Sequence, residues 1–348
     1  MNKMEEMREL KEGIKEMKGT KEMKKRFTAG LTLALFMAAF LAVCGCGEKE
    51  KSVTEAQNPD TAVQAEIQTE KVLEEPQEAE EIPEKEPLQE KEEIPVTEET
   101  DWSGYFDGLN GAAVLYWPSE NRYQIYNAEL AQTRRSPCST FKIISSLVAL
   151  ENGILEPENS VRTWSGEAFW NEDWNRDIGF EDAFHTSCVW YFRQLADDIG
   201  PELMQQELDR LQYGNCDISD WEGRLNTNNS NRALTGFWIE SSLKISPKEQ
   251  MEVMERIFGR DSEYSAETQQ DLMDVMLVTE QNDSAAAVYG KTGMGKDRGI
   301  TVDAWFTGFA DTADGRVCFC VYLGETEGRE VTSTGAREIA LKLLADYE

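Results

Sequence analysis

Ser139 and Lys142 stand three residues apart in Ser136-Pro137-Cys138-Ser139-Thr140-Phe141-Lys142-Ile143-Ile144. On a helix that spacing puts both side chains on one face. A serine hydroxyl is a weak nucleophile until a neighbour takes its proton. A lysine takes it only when burial or neighbouring charge lowers its pKa, and Phe141, Ile143 and Ile144 supply an apolar setting. The usual base of serine chemistry is scarce here, because His185 is the single histidine among 348 residues. A His-rich zinc site and an HExxH metalloprotease are therefore excluded, and a Ser-His-Asp triad has only His185 to be built on. Lysine is the base to look for. The N-terminus of the same helix also offers positive potential to a developing oxyanion.

S-x-x-K is short and recurs by chance, so its weight depends on the segments downstream of it. Ser187-Cys188-Val189 lies in a Phe184-His185-Thr186 context, and Tyr213-Gly214-Asn215 comes next as a turn tripeptide in which Gly or Asn takes positive φ. Lys291-Thr292-Gly293 stands at the end of a strand expected over 285–289, where Gly290 and Gly293 let a ligand approach the backbone closely. Taken in order, S-x-x-K, S-x-V, Y-G-N and K-T-G resemble the signature series of class D (oxacillinase-type) serine β-lactamases and the related β-lactam sensor domains. The likeness extends through Trp190-Tyr191-Phe192, Cys216-Asp217-Ile218-Ser219, Phe237-Trp238 and Leu243-Lys244-Ile245-Ser246, and covers essentially 104–345. Class A enzymes and many penicillin-binding proteins carry S-D-N or S-x-N as the second motif, which Val189 disfavours.

The resemblance implies a role for each matching residue. Ser139 forms the acyl-enzyme. Lys142, N-carboxylated by carbon dioxide or bicarbonate, is the general base, with Val189 and Phe141 walling its pocket and the Trp238 indole supporting the carbamate. Ser187 relays a proton to the leaving nitrogen with help from Lys291. Thr292 and Arg337 bind the antibiotic's carboxylate, and the backbone N–H groups of Ser139 and Met294 form the oxyanion hole. Gly293, Val189 and Tyr213 complete the substrate-binding set, Tyr213 and Asn215 as shaping rather than reacting groups. No metal and no separately bound cofactor is implied. Cys138, where family members commonly carry Ala, and Cys188 read as small buried fillers, and His185 as structural. Residues 164–174 and a loop over 294–299 are the expected walls that set substrate range.

Strands over Gly111–Trp117 and 123–127, joined by a Pro118-Ser119-Glu120-Asn121 turn, open the folded part. The middle, 137–282, has a mostly helical pattern. Ser136 suits a helix cap and Pro137 a first helical position, and Pro also opens helices over 201–211 and 247–259. Strands over 285–289, 302–310 and 316–323 and a helix over 332–347 close the chain. Strands at both ends with helices between predict an α+β fold, an antiparallel sheet built from both termini of the domain plus a helical subdomain. The resemblance implies the serine β-lactamase/penicillin-binding transpeptidase arrangement. Cys318 and Cys320 alternate onto one strand face and read as core.

Ahead of this domain (101–348) come two other regions. Met23-Lys24-Lys25-Arg26, an apolar run and Cys44-Gly45-Cys46 describe a secretory leader over 1–46, with Met23 as a more ordinary start than Met1. Cys46, or Cys44, resembles the lipidated residue of a bacterial lipoprotein. This implies a protein anchored by lipid to the outer face of the cell membrane. Residues 47–100 are rich in Glu, Pro, Gln and Lys without Trp, Phe or Tyr, the composition of a disordered tether. A net charge of −31 argues against a nucleic-acid partner. The expected partners are β-lactams and the membrane, with the chain a monomer or weak dimer. Two other functions compete with hydrolysis: a sensor that binds β-lactam without turnover, and a peptidoglycan transpeptidase or carboxypeptidase. Sensors of that type carry several membrane helices and a zinc protease module, unlike this chain's one apolar segment and one histidine.

Overall fold

The computed structural model describes residues 94–225, 231–279 and 286–347. The leader, the tether up to residue 93 and Ala285 lie outside the described residues. Seven strands form one sheet in the order β1-β3-β2-β7-β6-β5-β4. In chain order these are β1 Val96–Glu99, β2 Gly111–Trp117, β3 Arg122–Tyr126, β4 Leu277–Thr279, β5 Ala287–Asp297, β6 Ile300–Thr312 and β7 Gly315–Gly324. Strands from both ends of the domain meet at the β2–β7 pairing, as the α+β reading expects.

The neighbours are antiparallel except β1 and β3, which run parallel. The sheet is thus antiparallel apart from this one edge pair, which involves residues ahead of Asp101. Composition places Val96–Glu99 in the tether, yet all four residues form the sheet's edge with exposed side chains. An edge strand needs only backbone hydrogen bonds, so it carries no apolar signature.

Alternation along the strands divides the interior in two. Ala113, Leu115, Phe319 and Val321 face one layer, where they meet α1 (Ser103–Phe106) and the C-terminal helix through Phe106, Ile339, Leu343 and Leu344. Val114, Cys318, Cys320 and Tyr322 face the other, larger layer with the helical subdomain. Cys318 and Cys320 are thus core residues. All five described cysteines are free thiols.

The subdomain contains α2 (Ala128–Ala131), α3 (Lys142–Glu151), α4 (Phe180–His185), α5 (Val189–Ile199), α6 (Pro201–Arg210), α7 (Pro247–Phe258) and α8 (Ala266–Met276). The C-terminal α9 (Ser333–Ala345) lies on the opposite face of the sheet. Helix α3 packs against α5 and α8, with Ile143, Ile144, Leu147 and Val148 fully buried. Helix α7 starts with a capping box. Ser246 Oγ accepts from Glu249 N at 3.3 Å, and Glu249 Oε2 accepts from Ser246 N at 2.9 Å. Such a cap contributes about 1 kcal/mol.

Candidate active site

The nucleophile segment departs from a simple capped helix. Cys138–Phe141 forms a 3-10 turn ahead of α3, and Cys138 sits at φ +51°. Ser136 does not cap it. Its Oγ instead donates to Trp238 O at 3.1 Å and accepts from Glu240 N at 2.8 Å, while Cys138 N donates to Trp238 O at 3.0 Å. The segment is therefore stitched to the Phe237–Glu240 stretch, a connection that no local pattern foretells. Trp305 Nε1 donates to Ser136 O at 3.0 Å from behind. Thr140, held by Gln250 at 2.7 Å, completes the anchoring.

With the turn fixed, Ser139 Oγ lies 3.0 Å from Lys142 Nζ. Lys142 is 1% exposed, and the Phe192 ring lies 5.2 Å from its Nζ. Burial lowers its pKa to about 8, against smaller opposing effects of Cys188 and Cys138. The amine therefore has a far larger neutral fraction near neutral pH than an exposed lysine, about a tenth at pH 7, as a base requires. The fold thus brings the two side chains of the S-x-x-K segment together.

A second serine–lysine pair faces the first. Ser187 lies between α4 and α5 at φ +56°, its backbone held by Ser187 N on Phe184 O and Cys188 N on Ala183 O. Lys291 Nζ lies 2.5 Å from Ser187 Oγ and 3.2 Å from Thr292 O. Burial, and then the nearby Lys142 charge, bring the Lys291 pKa down to about 7. Lys291 belongs to the interior of β5, so the K-T-G motif lies mid-strand and not at a strand's end. β5 also runs through 294–297, which replaces most of the expected loop. Gly293 lets this strand close on the nucleophile turn: a Cβ there would stand 2.9 Å from Pro137 O and from Thr140 Cγ2.

Ser139, Ser187, Val189, Thr292, Gly293 and Met294 line one cleft of about 460 Å³. Trp170, Trp174, Leu234, Ile239 and Glu240 complete much of its wall. Trp170 is 77% exposed at its rim. From the 164–174 stretch, Trp170 and Trp174 thus reach the cleft. Leu234, Ile239 and Glu240 carry no motif and are invisible as site residues in the sequence; the last two are placed by the stitching of 237–240 to Ser136.

Other expected residues stand behind or beside the cleft. Trp238 is fully buried, stacked on Phe141 with ring centroids 5.7 Å apart. Tyr213 is corrected: it is fully buried, edge-on to Phe141 at 5.6 Å, and does not line the cleft. Asn215 is likewise internal scaffolding. It donates through Nδ2 to Ser242 O at 2.9 Å and accepts from Lys244 N at 2.8 Å. Gly214 is required at φ +57°, because a Cβ would stand 2.0 Å from Lys244 O. Arg337, half-buried on α9, lines a neighbouring depression with Lys291, Thr292 and Gly290. His185 Nε2 meets Val275 O at 3.0 Å, in keeping with a structural role. Cys138 and Cys188 are buried fillers. Burial raises both thiols, that of Cys188 to about 11, so neither is a ready thiolate.

Comparison with known proteins places this geometry. The model of the penicillin binding protein transpeptidase domain matches residues 110–345. A probable β-lactamase, YbxI of Bacillus subtilis, is 31% identical over 243 residues, which are 70% of this chain and 82% of that protein. The regulatory protein BlaR1 of Bacillus licheniformis is also 31% identical, over 71% of this chain. The chain spans only 39% of BlaR1's length. Among solved structures, the C-terminal domain of the B. licheniformis BlaR penicillin-receptor superposes with a TM-score of 0.63 at 30% identity, covering 73% of this chain and 97% of that one. A class D β-lactamase from B. subtilis gives 0.60 at 29% identity, covering 71% and 95%. The chain belongs to the penicillin-binding transpeptidase family, and its relatives there include class D β-lactamases and the BlaR receptor domain.

Proposed function

We propose that this protein hydrolyses β-lactam antibiotics through an acyl-enzyme on Ser139, giving resistance to them. One observation carries the reading: the Ser139 hydroxyl lies 3.0 Å from a fully buried lysine amine whose pKa is about 8. A neutral amine in an apolar pocket takes up carbon dioxide, and the pocket of Lys142 fits that group. The Phe192 ring flanks the Lys142 amine at 5.2 Å, and the Phe141 ring, from the residue before it, stacks on Trp238. Lys142 would hold the carboxylate group covalently, with the Trp238 indole supporting it, and the group would supply a general base for acylation and for activating the deacylating water.

The other residues divide the remaining work. Ser139 attacks the lactam carbonyl and passes its proton to the base. Ser187, with Lys291 at 2.5 Å, returns a proton to the departing nitrogen. The backbone N–H groups of Ser139 and Met294 hold the oxyanion. Thr292 and Arg337 take the carboxylate, and the apolar wall of Trp170, Ile239 and Leu234 receives the acyl side chain.

The likeness to the BlaR receptor favours a second reading, in which the same acyl-enzyme persists and reports the drug. A transpeptidase or carboxypeptidase reading would pass the acyl group of a peptide instead. Penicillin hydrolysis with and without bicarbonate, combined with intact mass, separates them. Multiple turnovers that rise with bicarbonate support hydrolysis, whereas one persistent adduct per chain overturns it in favour of the receptor or transpeptidase. The leader supports lipid anchoring at Cys46 or Cys44 outside the cell membrane. Fatty-acid labelling lost in Cys46→Ser, or in Cys44→Ser, identifies the residue, and labelling absent from the parent chain refutes the anchor.

A further inference from the structure

Among the described residues nine non-glycine positions adopt positive φ, and three of them line the cleft: Cys138, Ser187 and Glu240. Strained backbone concentrates where function needs it. The first two present the nucleophile turn and the proton-relay serine. Glu240, at φ +51°, has no part in that chemistry.

Its bonds show what the left-handed turn achieves. The Glu240 N–H donates to Ser136 Oγ at 2.8 Å, which fixes the residue to the base of the nucleophile turn. Its Oε1 accepts from the backbone N–H of Lys296 at 2.8 Å. Lys296 lies where the β5–β6 ladder slips register, between the Gly295–Asp303 and Lys296–Thr301 pairs. Such an irregularity bends a strand and redirects its residues. Glu240 secures the bent end of β5 across the mouth of the cleft, between a wall carrying Ile239 and a wall carrying Met294 and Lys296.

We propose that Glu240 is a positioning residue that clips the β5–β6 hairpin to the Trp238 segment and so sets how wide an acyl side chain the cleft admits. The specificity part rests on the β-lactam reading above, while the clip itself does not. The hairpin continues from the strand that bears Lys291, Thr292 and Gly293, so its outer end moves without displacing the relay pair. Releasing the clip widens the mouth and shifts selectivity towards bulky side chains.

Two substitutions isolate the carboxylate from the turn. Glu240→Gly keeps the left-handed backbone without strain and removes the acceptor. Glu240→Gln keeps an acceptor oxygen of the same reach. In the full-length protein, Glu240→Gly is expected to speed amide hydrogen exchange at Lys296 about tenfold, the worth of a charge-assisted hydrogen bond. It should also raise the ratio of second-order attack on oxacillin to that on benzylpenicillin by about tenfold. Glu240→Gln should return both values to near the parental ones. An unchanged exchange rate or an unchanged ratio in Glu240→Gly overturns the proposal. Exchange is read without drug, and attack is read as adduct formation when turnover is missing. Failure of the hydrolase reading and failure of the clip are therefore separately visible.

Discussion

Two serine–lysine pairs occupy one cleft and are built in opposite ways. Ser139 and Lys142 share a single helical turn, and their 3.0 Å approach is set by spacing. Ser187 and Lys291 are 104 residues apart and meet only because β5 carries Lys291 past the α4–α5 junction. Both lysines are buried, and burial is the largest cause of both lowered pKa values. They differ in the second cause. For Lys291 the charge of Lys142 adds to burial in lowering the pKa, so the distant pair responds to the state of the local one. The local pair is a property of sequence, and the distant pair a property of the fold.

Breaking the local pair has the largest expected effect. Lys142→Ala should reduce turnover of penicillins by about a thousandfold or more, on the order of losses seen when an activating base is removed. Deacylation should suffer more than acylation, leaving a covalent adduct on Ser139 visible by intact mass. Parental turnover in this variant would refute the base assignment. Breaking the distant pair costs less: Lys291→Ala should slow acylation about a hundredfold, the usual scale of lost general acid assistance. Pre-steady-state adduct formation measures it, and an unchanged acylation rate would exclude the relay.

Acidity sharpens the comparison. Lys142 titrates near 8, below the ordinary lysine value, so its neutral form gains as pH rises through that point. Turnover without added bicarbonate should rise across the same range, and bicarbonate should lift the acidic side most. A profile flat from about pH 6 to about pH 9, a span that brackets such a titration, would count against a titrating Lys142. Removing the Lys142 charge, as in Lys142→Met, should let the Lys291 pKa move up, by NMR titration of its side chain. An unmoved or lower value would show that the two pairs are uncoupled. The smallest effect belongs to the filler between them. Cys188→Ala should cost about 1 kcal/mol of stability by denaturant unfolding and leave turnover within about twofold.

The same contrast explains what is legible in the sequence. Ser139, Lys142 and the apolar run of α3 can be placed from local pattern, and so can the hairpin of β2 and β3. The Tyr213-Gly214-Asn215 turn is legible as a turn but not as scaffolding, because its partners Ser242 and Lys244 lie on a distant segment. Ser136 resembles a helix cap since capping is a local habit, whereas its hydroxyl is spent on Trp238 and Glu240. K-T-G reads as a strand end because Gly290 and Gly293 resemble punctuation. In the fold Gly293 is clearance, letting β5 continue past the nucleophile turn. Glu240 and Ile239 have no signal beyond their place just after the Phe237-Trp238 match.

The edge strand β1 has a consequence for how the molecule keeps to itself. Without it, the outer side of β3 would offer free N–H and C=O groups to any extended chain, the geometry by which sheets recruit one another. Val96–Glu99 fills that side and then presents a short border carrying Glu98 and Glu99. A second copy approaching this border meets its own charge. A fragment cut at Asp101 would lose that protection while keeping every residue of the cleft.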